Sequence, residues 1–150
     1  MKYLFDTDAM SFFYDASRMP EHQYLLQHVG LLAEEDRIQV SVLTLCEFEY
    51  SYFAASSEKK PFIRKTISKI EASFDILPLT PNVAPIYGQM KSLLKSSKGR
   101  KPQEMKRYNV DVLIASAAIS ESSIVIGADT LYVEIAAVFP HFQCQNWLIA

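Results

Sequence analysis

Tyr3-Leu4-Phe5-Asp6 runs three apolar residues into a carboxylate, and Ile124-Val125-Ile126 reaches Asp129 after two intervening residues. Short, wholly apolar runs of this kind suit strands buried on both faces of a parallel sheet, and strand ends in α/β folds are where side chains converge on a site. Two further acids stand at the edges of apolar segments: residues 40–45 lead to Glu47, and residues 112–119 follow Asp111. Carboxylates gathered in one pocket repel each other. They coexist by sharing protons or by holding a hard cation such as Mg²⁺ or Mn²⁺. The four acids Asp6, Glu47, Asp111 and Asp129 therefore predict one shared, metal-dependent site.

Working outward, residues 8–20 read as a weakly helical stretch interrupted by Asp8, Ser11 and Asp15. Leu25, Val29 and Leu32 recur at helical spacing within 21–35, and residues 38–42 alternate as a second strand. A helix over 44–54 follows, then one capped by Ser57 whose stripe of Ile63, Ile67, Ile70 and Phe74 opposes a basic face. Residues 75–79 form a short strand, and Ile86 to Leu94 lie on a helix with Pro85 in its first turn. Gly99, Pro102 and four basic residues mark 96–106 as a flexible loop. Asn109 is positioned to cap a nearly all-apolar helix over 110–120, the expected central buried helix. Residues 142–148 read as a closing edge strand. Strands alternating with helices predict an α/β fold of three layers, a mainly parallel central sheet flanked by helices, in a single domain spanning 1–150.

Composition agrees with a packed globule: 49% of the 150 residues are hydrophobic and 21% charged. No apolar run approaches the roughly 18 residues of a membrane span, and the first acid comes too early for a signal peptide, so a cytoplasmic protein is expected. Cys46 and Cys144 form no CxxC pair and, with scattered His22, His28 and His141, no zinc-ligand spacing; both thiols read as buried apolar fillers. The net charge of −2 conceals a division along the chain. Residues 1–57 carry three Lys/Arg against nine Asp/Glu, 58–107 twelve against four, and 108–150 none against four. Such asymmetry serves a protein that holds a cation in one place and phosphates in another, although charge also coats ordinary exposed helices.

Each acid has a structural alternative. Asp6 at a strand end is a turn former. Thr44-Leu45-Cys46-Glu47 fits a capping box, in which Glu bonds back to the cap's own N–H. Asp111 in a first helical turn is favoured by the helix dipole, and Asp129 before Thr130 suits an N-cap. Their joint placement at the mouths of apolar elements favours a site.

In their order along the chain these residues resemble the PIN-domain nucleases and, within them, the VapC toxins of bacterial toxin–antitoxin pairs. Tyr3-Leu4-Phe5-Asp6-Thr7-Asp8 is similar to the family's first strand, which usually reads D-T-N or D-T-S; Asp8 departs from it. Residues 41–47 match its S-x-x-T-x-x-E segment, Leu77-Pro78-Leu79-Thr80 with 84–88 its middle strand and helix, and 109–115 its D-x-x-I-A helix start. Residues 126–130 carry the fourth acidic position, with Gly127 where the family often has Thr or Ser, and Asn146-Trp147-Leu148 the closing strand.

The resemblance implies a Mg²⁺- or Mn²⁺-dependent endoribonuclease in which Asp6 and Asp111 are the principal metal ligands and Glu47 and Asp129 complete the catalytic set. Thr7, Asp8, Ser41 and Thr44 would support those acids from behind. Lys91, Lys95, Lys98, Arg100, Lys101, Lys106 and Arg107 would grip the RNA backbone, giving affinity rather than base choice. A cognate antitoxin protein and a homodimer are the implied partners, with aromatic residues at 12–14, 50, 52 and 53 as a candidate surface. Two alternatives remain. One is a non-catalytic PIN-like protein-binding module. The other is a haloacid-dehalogenase-type phosphatase, suggested by the D-x-D of Asp6 and Asp8 but opposed by Met10 and by the absence of any Lys or Arg in 108–150.

Overall fold

The structure, a computed structural model, describes residues 1–150 apart from the side chain of Lys98. In chain order its elements are β1 Lys2–Phe5, α1 Thr7–Tyr14, α2 Glu21–Gly30, β2 Arg37–Ser41, α3 Val42–Ala54, α4 Lys60–Ser73, β3 Asp75–Leu77, α5 Val83–Lys98, α6 Pro102–Lys106, α7 Asn109–Glu121, β4 Ile124–Ile126, α8 Thr130–Val138 and β5 Cys144–Gln145. The strands form one sheet in the order β3-β2-β1-β4-β5, and every pairing is parallel. The expected three-layer α/β architecture is therefore present.

Alternation along the strands builds two cores. Leu4 and Val125 point to one face and pack with Met90 and Leu94 of α5, Ile114 and Ala118 of α7, and Leu131 and Ile135 of α8. Tyr3, Phe5, Ile124 and Ile126 point to the other, against Met10 of α1, Leu25 of α2, Ile70 of α4 and Trp147. Successive strand side chains face opposite ways, so strands covered on both sides must be apolar throughout. The α7 helix is the expected central one: Val112 and Ile114 through Ala118 are buried.

Several boundaries differ from the sequence expectations, each for a local reason. Residues 7–14 are a regular helix because Asp6 caps it, its carboxylate accepting the Ala9 N–H at 2.7 Å. Ser57 caps nothing; α4 starts after Lys59 with Pro61 in its first turn, where a missing N–H costs no helical bond. Nor does Asn109 cap α7, since it lies inside the helix and Tyr108 takes the cap position. The segment 96–106 is not a loop: α5 continues to Lys98, Gly99 ends it in the left-handed conformation (φ 59°), and α6 follows behind Pro102. The closing strand shortens to Cys144–Gln145, although Phe142, Trp147 and Leu148 around it are buried. Cys46 is exposed and Cys144 half-buried, so Cys46 is no core filler. Among the described residues no helix is long and apolar enough to cross a membrane.

Candidate active site

The chain runs β1 to β2 to β3 on one side of β1, then crosses to β4 and β5 on the other. Strand order thus reverses between β1 and β4, and open parallel sheets form a ligand crevice beyond the strand ends at such a point. Asp6 stands on one lip of that crevice. Its backbone N–H bonds to Ile126 O at 3.0 Å, which places it beside the β4 terminus and Gly127. Asp129 stands just beyond β4 as the N-cap of α8, accepting the Leu131 N–H at 2.8 Å. Asp111 comes from the first turn of α7 and Glu47 from the second turn of α3.

The capping alternative for Glu47 fails. Ser41, not Thr44, is the N-cap of α3, and its hydroxyl accepts the Leu43 N–H at 3.1 Å. Glu47 lies one turn further in and is free for the site. Thr44, fully buried, shares a hydrogen bond of 3.1 Å with Thr7, and Thr7 lies close enough to Glu47 to hold its pKa down. Two of the four supporting residues thus form a hydrogen-bonded pair beside Glu47. Ser41 is occupied with the helix cap, and Asp8 is exposed.

Electrostatics ties the acids together. Asp6 is only 5% exposed, and burial, opposed by the Ala9 N–H and reinforced by the charges of Asp8 and Asp111, raises its pKa to about 7. Burial also raises Asp111, to about 6, with the charges of Asp129, Glu47 and Asp8 adding to it. Glu47 is pushed up by burial and by Asp8, against the Thr7 hydrogen bond. Asp8 therefore matters as a fifth negative charge rather than as a hydrogen-bonding support.

The donor set fits a hard divalent cation. All the groups are carboxylate oxygens; burial, with neighbouring negative charge adding to it, raises Asp6, Asp111 and Glu47, and a cation would relieve both the desolvation and the repulsion. Among the described residues no three Asp, Glu, His or Cys side chains close around an ion-sized space. Mg²⁺ does not require that, since it keeps several waters and is commonly held by one or two carboxylates. Asp6 and Asp111 are the two acids that burial raises furthest, and the charge of Asp111 adds to the rise of Asp6.

Sequence reasoning missed Tyr132. In the first turn of α8 its side chain is 1% exposed, its hydroxyl has no well-formed hydrogen bond, and it lies close enough to Asp6 and Asp111 to lower both their pKa values. Its position three residues after Asp129 was the available signal. Gly127 explains itself here as well: a Cβ would lie 2.2 Å from Asp6 Oδ2 and 2.7 Å from Tyr132 Cε2, so no side chain fits.

The basic candidates divide. Lys95, Lys101, Lys106 and Arg107 are exposed. Lys91 bonds Asn109 Oδ1 at 2.9 Å and the Tyr87 hydroxyl at 3.1 Å. Arg100 pairs with Glu134 at 2.6 Å and lies over the Tyr108 ring. The side chain of Lys98 lies outside the described residues. Of the aromatic candidates, Tyr50 and Phe53 are exposed, whereas Phe12, Phe13 and Tyr14 pack against the core.

The family model described as "PIN domain" matches residues 3–138. Among solved structures, the chain is similar to VapBC-1 of nontypeable Haemophilus influenzae, with 20% identity, a TM-score of 0.78, and coverage of 99% of this chain and 100% of that one. For VapBC2 of Rickettsia felis bound to a promoter DNA fragment, identity is 21%, the TM-score 0.77 and coverage 98% and 99%. For FitAcB of Neisseria gonorrhoeae, identity is 23%, the TM-score 0.72 and coverage 99% of both. At these identities the likeness is one of fold. No curated protein matches the chain.

Proposed function

The chain belongs to the PIN domain family, and from that membership and the convergent acids we propose that it is a metal-dependent endoribonuclease, the toxin of a toxin–antitoxin pair. The observation that carries the reading is the electrostatic coupling of Asp6, Glu47, Asp111 and Asp129, brought from four different elements to the switch point of the sheet. Family membership leaves the phosphatase alternative without support. A non-catalytic module has no use for buried carboxylates raised toward neutrality, which cost stability and suit a site where charge must be balanced by a ligand.

Asp6 and Asp111 would hold Mg²⁺ or Mn²⁺, with Glu47 and Asp129 toward the open side. A bound ion of this kind supplies Lewis acidity, lowering the pKa of water and offsetting charge on phosphoryl oxygens. Glu47, steadied by the Thr7–Thr44 pair, is placed to orient a water or take its proton, and its raised pKa brings it nearer the working pH of a base. Asp129 would orient the water from the other lip. Lys95, Lys101, Lys106 and Arg107 would draw in the RNA backbone without choosing bases. The VapBC complexes of like fold motivate an antitoxin partner for this chain, and exposed Tyr50 and Phe53 suit such a contact or a homodimer.

The test is cleavage of a structured RNA with Mn²⁺ present, set beside hydrolysis of a small phosphomonoester. RNA cleavage without phosphatase activity is expected. Phosphatase activity alone, or no reaction together with no Mn²⁺ binding in calorimetry, overturns the reading.

A further inference from the structure

A buried tyrosine hydroxyl without a good partner needs a reason, because phenylalanine would fill the same space without burying a polar group. Tyr132 belongs to the apolar cluster of α5, α7 and α8, yet its hydroxyl emerges from that cluster toward the acids. Gly127 shows how it gets there. The point a side chain would occupy at residue 127 lies against Asp6 Oδ2 on one side and Tyr132 Cε2 on the other. Cε2 is the ring carbon next to the one that bears the hydroxyl, so the phenol and the Asp6 carboxyl meet across the space this glycine leaves open.

The two oxygens of Asp6 then have separate partners. Oδ1 accepts the Ala9 N–H at 2.7 Å, and Oδ2 is the atom facing Gly127 and the tyrosine ring. We infer that the Tyr132 hydroxyl, admitted by Gly127, is a positioning group that fixes the free oxygen of Asp6 and its neighbour Asp111 in the orientation a divalent cation requires. One carboxylate oxygen is anchored by backbone and the other faces a phenol from a different helix whose hydroxyl is free to turn toward it, so the group is confined from both sides. Hydrogen bonds from behind a ligand are known to set metal affinity by orienting it and tuning its basicity. Tyr132 acts as a neutral donor and touches neither RNA nor the scissile bond. The inference rests on the proposed metal-dependent reading and adds a residue to it.

The experiment is calorimetry with Mn²⁺ alone on the full chain. Tyr132→Phe, which keeps the ring and its packing, should weaken Mn²⁺ binding by about 10-fold or more. The thermal midpoint of the metal-free protein should not fall, and in RNA cleavage the Mn²⁺ needed for half-activation should rise while KM for RNA stays unchanged. Gly127→Ala, whose methyl would displace the Asp6 carboxyl, should weaken binding further, and adding Tyr132→Phe to it should change little, because the two residues act through one contact. Wild-type Mn²⁺ affinity in Tyr132→Phe, with Asp6→Asn losing it, overturns the role of Tyr132 and leaves the nuclease reading standing. Independent, multiplying losses in the double variant also overturn it. Absence of Mn²⁺ binding by the unaltered chain overturns both.

Discussion

At the end of β1, Asp6 caps α1 by accepting the Ala9 N–H at 2.7 Å; one strand over, beyond β4, Asp129 caps α8 by accepting the Leu131 N–H at 2.8 Å. The two junctions are built alike, on adjacent parallel strands, each with one aspartate and one capping bond. Their surroundings differ. Asp6 is buried beside Gly127 and Tyr132 and has its pKa lifted to about 7, whereas Asp129 is exposed. A capping hydrogen bond stabilises the charged form in both, so what separates them is desolvation. An aspartate buried this deeply is poor as a mere cap and well suited to a cation.

The largest test of that contrast is Asp6→Asn. Asparagine keeps the capping oxygen but removes the charge, so Mn²⁺ binding and RNA cleavage should be abolished while the metal-free protein becomes more stable. A variant that still cleaves at the wild-type rate breaks the assignment. The stability gain should depend on pH in a definite direction. A carboxyl whose folded pKa lies above its unfolded value binds its proton more tightly when folded, so its contribution is fully present below about pH 4. It is lost as pH rises toward 7. The difference between Asp6→Asn and the unaltered chain should therefore grow across that window. From 3.8 to about 7 the shift corresponds to on the order of 4 kcal/mol. A flat difference in denaturant melts at pH 4, 5.5 and 7 would show that Asp6 is not buried as described.

Asp129→Ala sharpens the other side of the comparison. Loss of an exposed cap should destabilise by about 1 kcal/mol, the opposite sign to Asp6→Asn, and Asp129→Asn should be nearly neutral in stability. A stability gain from Asp129→Ala would mean that its charge is as confined as that of Asp6. The smallest effects belong to the basic segment. Single alanine substitutions of Lys95, Lys101, Lys106 or Arg107 should each reduce the salt dependence of RNA binding by a slope of about 0.7, without changing Mn²⁺ affinity. Substituting Lys91 should instead act through Asn109 and Tyr87, which hold it, and so leave the salt slope nearly unchanged.

Much of this protein was legible along the chain. The runs 3–5 and 124–126 announce interior strands because residues covered on both faces must be apolar, 38–42 announces a strand by its alternation, and 110–120 announces a central helix by being apolar nearly all round. The acids were legible as a set by their places at the edges of those runs. What the sequence could not distinguish was a cap from a ligand. Thr44 fits as the cap of a helix over 44–54, and only the actual start of α3 at Val42, behind Ser41, releases Glu47 from the capping box. Asn109 looked like a cap and instead holds Lys91, because the tyrosine at 108 takes the boundary. Lys91 and Arg100 looked free in a basic run, yet α5, α7 and α8 bring Asn109 and Glu134 to them from far along the chain.

The sequence by itself determined the order of buried strands and helices and the presence of four acids at their ends, since apolar periodicity and residue chemistry are local properties. Only the tertiary structure decided which acid is desolvated, which basic residues are already paired, and why position 127 has no side chain. The first and last depend on Asp6, Gly127 and Tyr132 meeting beyond the ends of β1 and β4, and the pairing of Lys91 and Arg100 on the packing of α5, α7 and α8. Contacts between residues more than a hundred positions apart set burial, and burial sets the charge that each carboxyl carries.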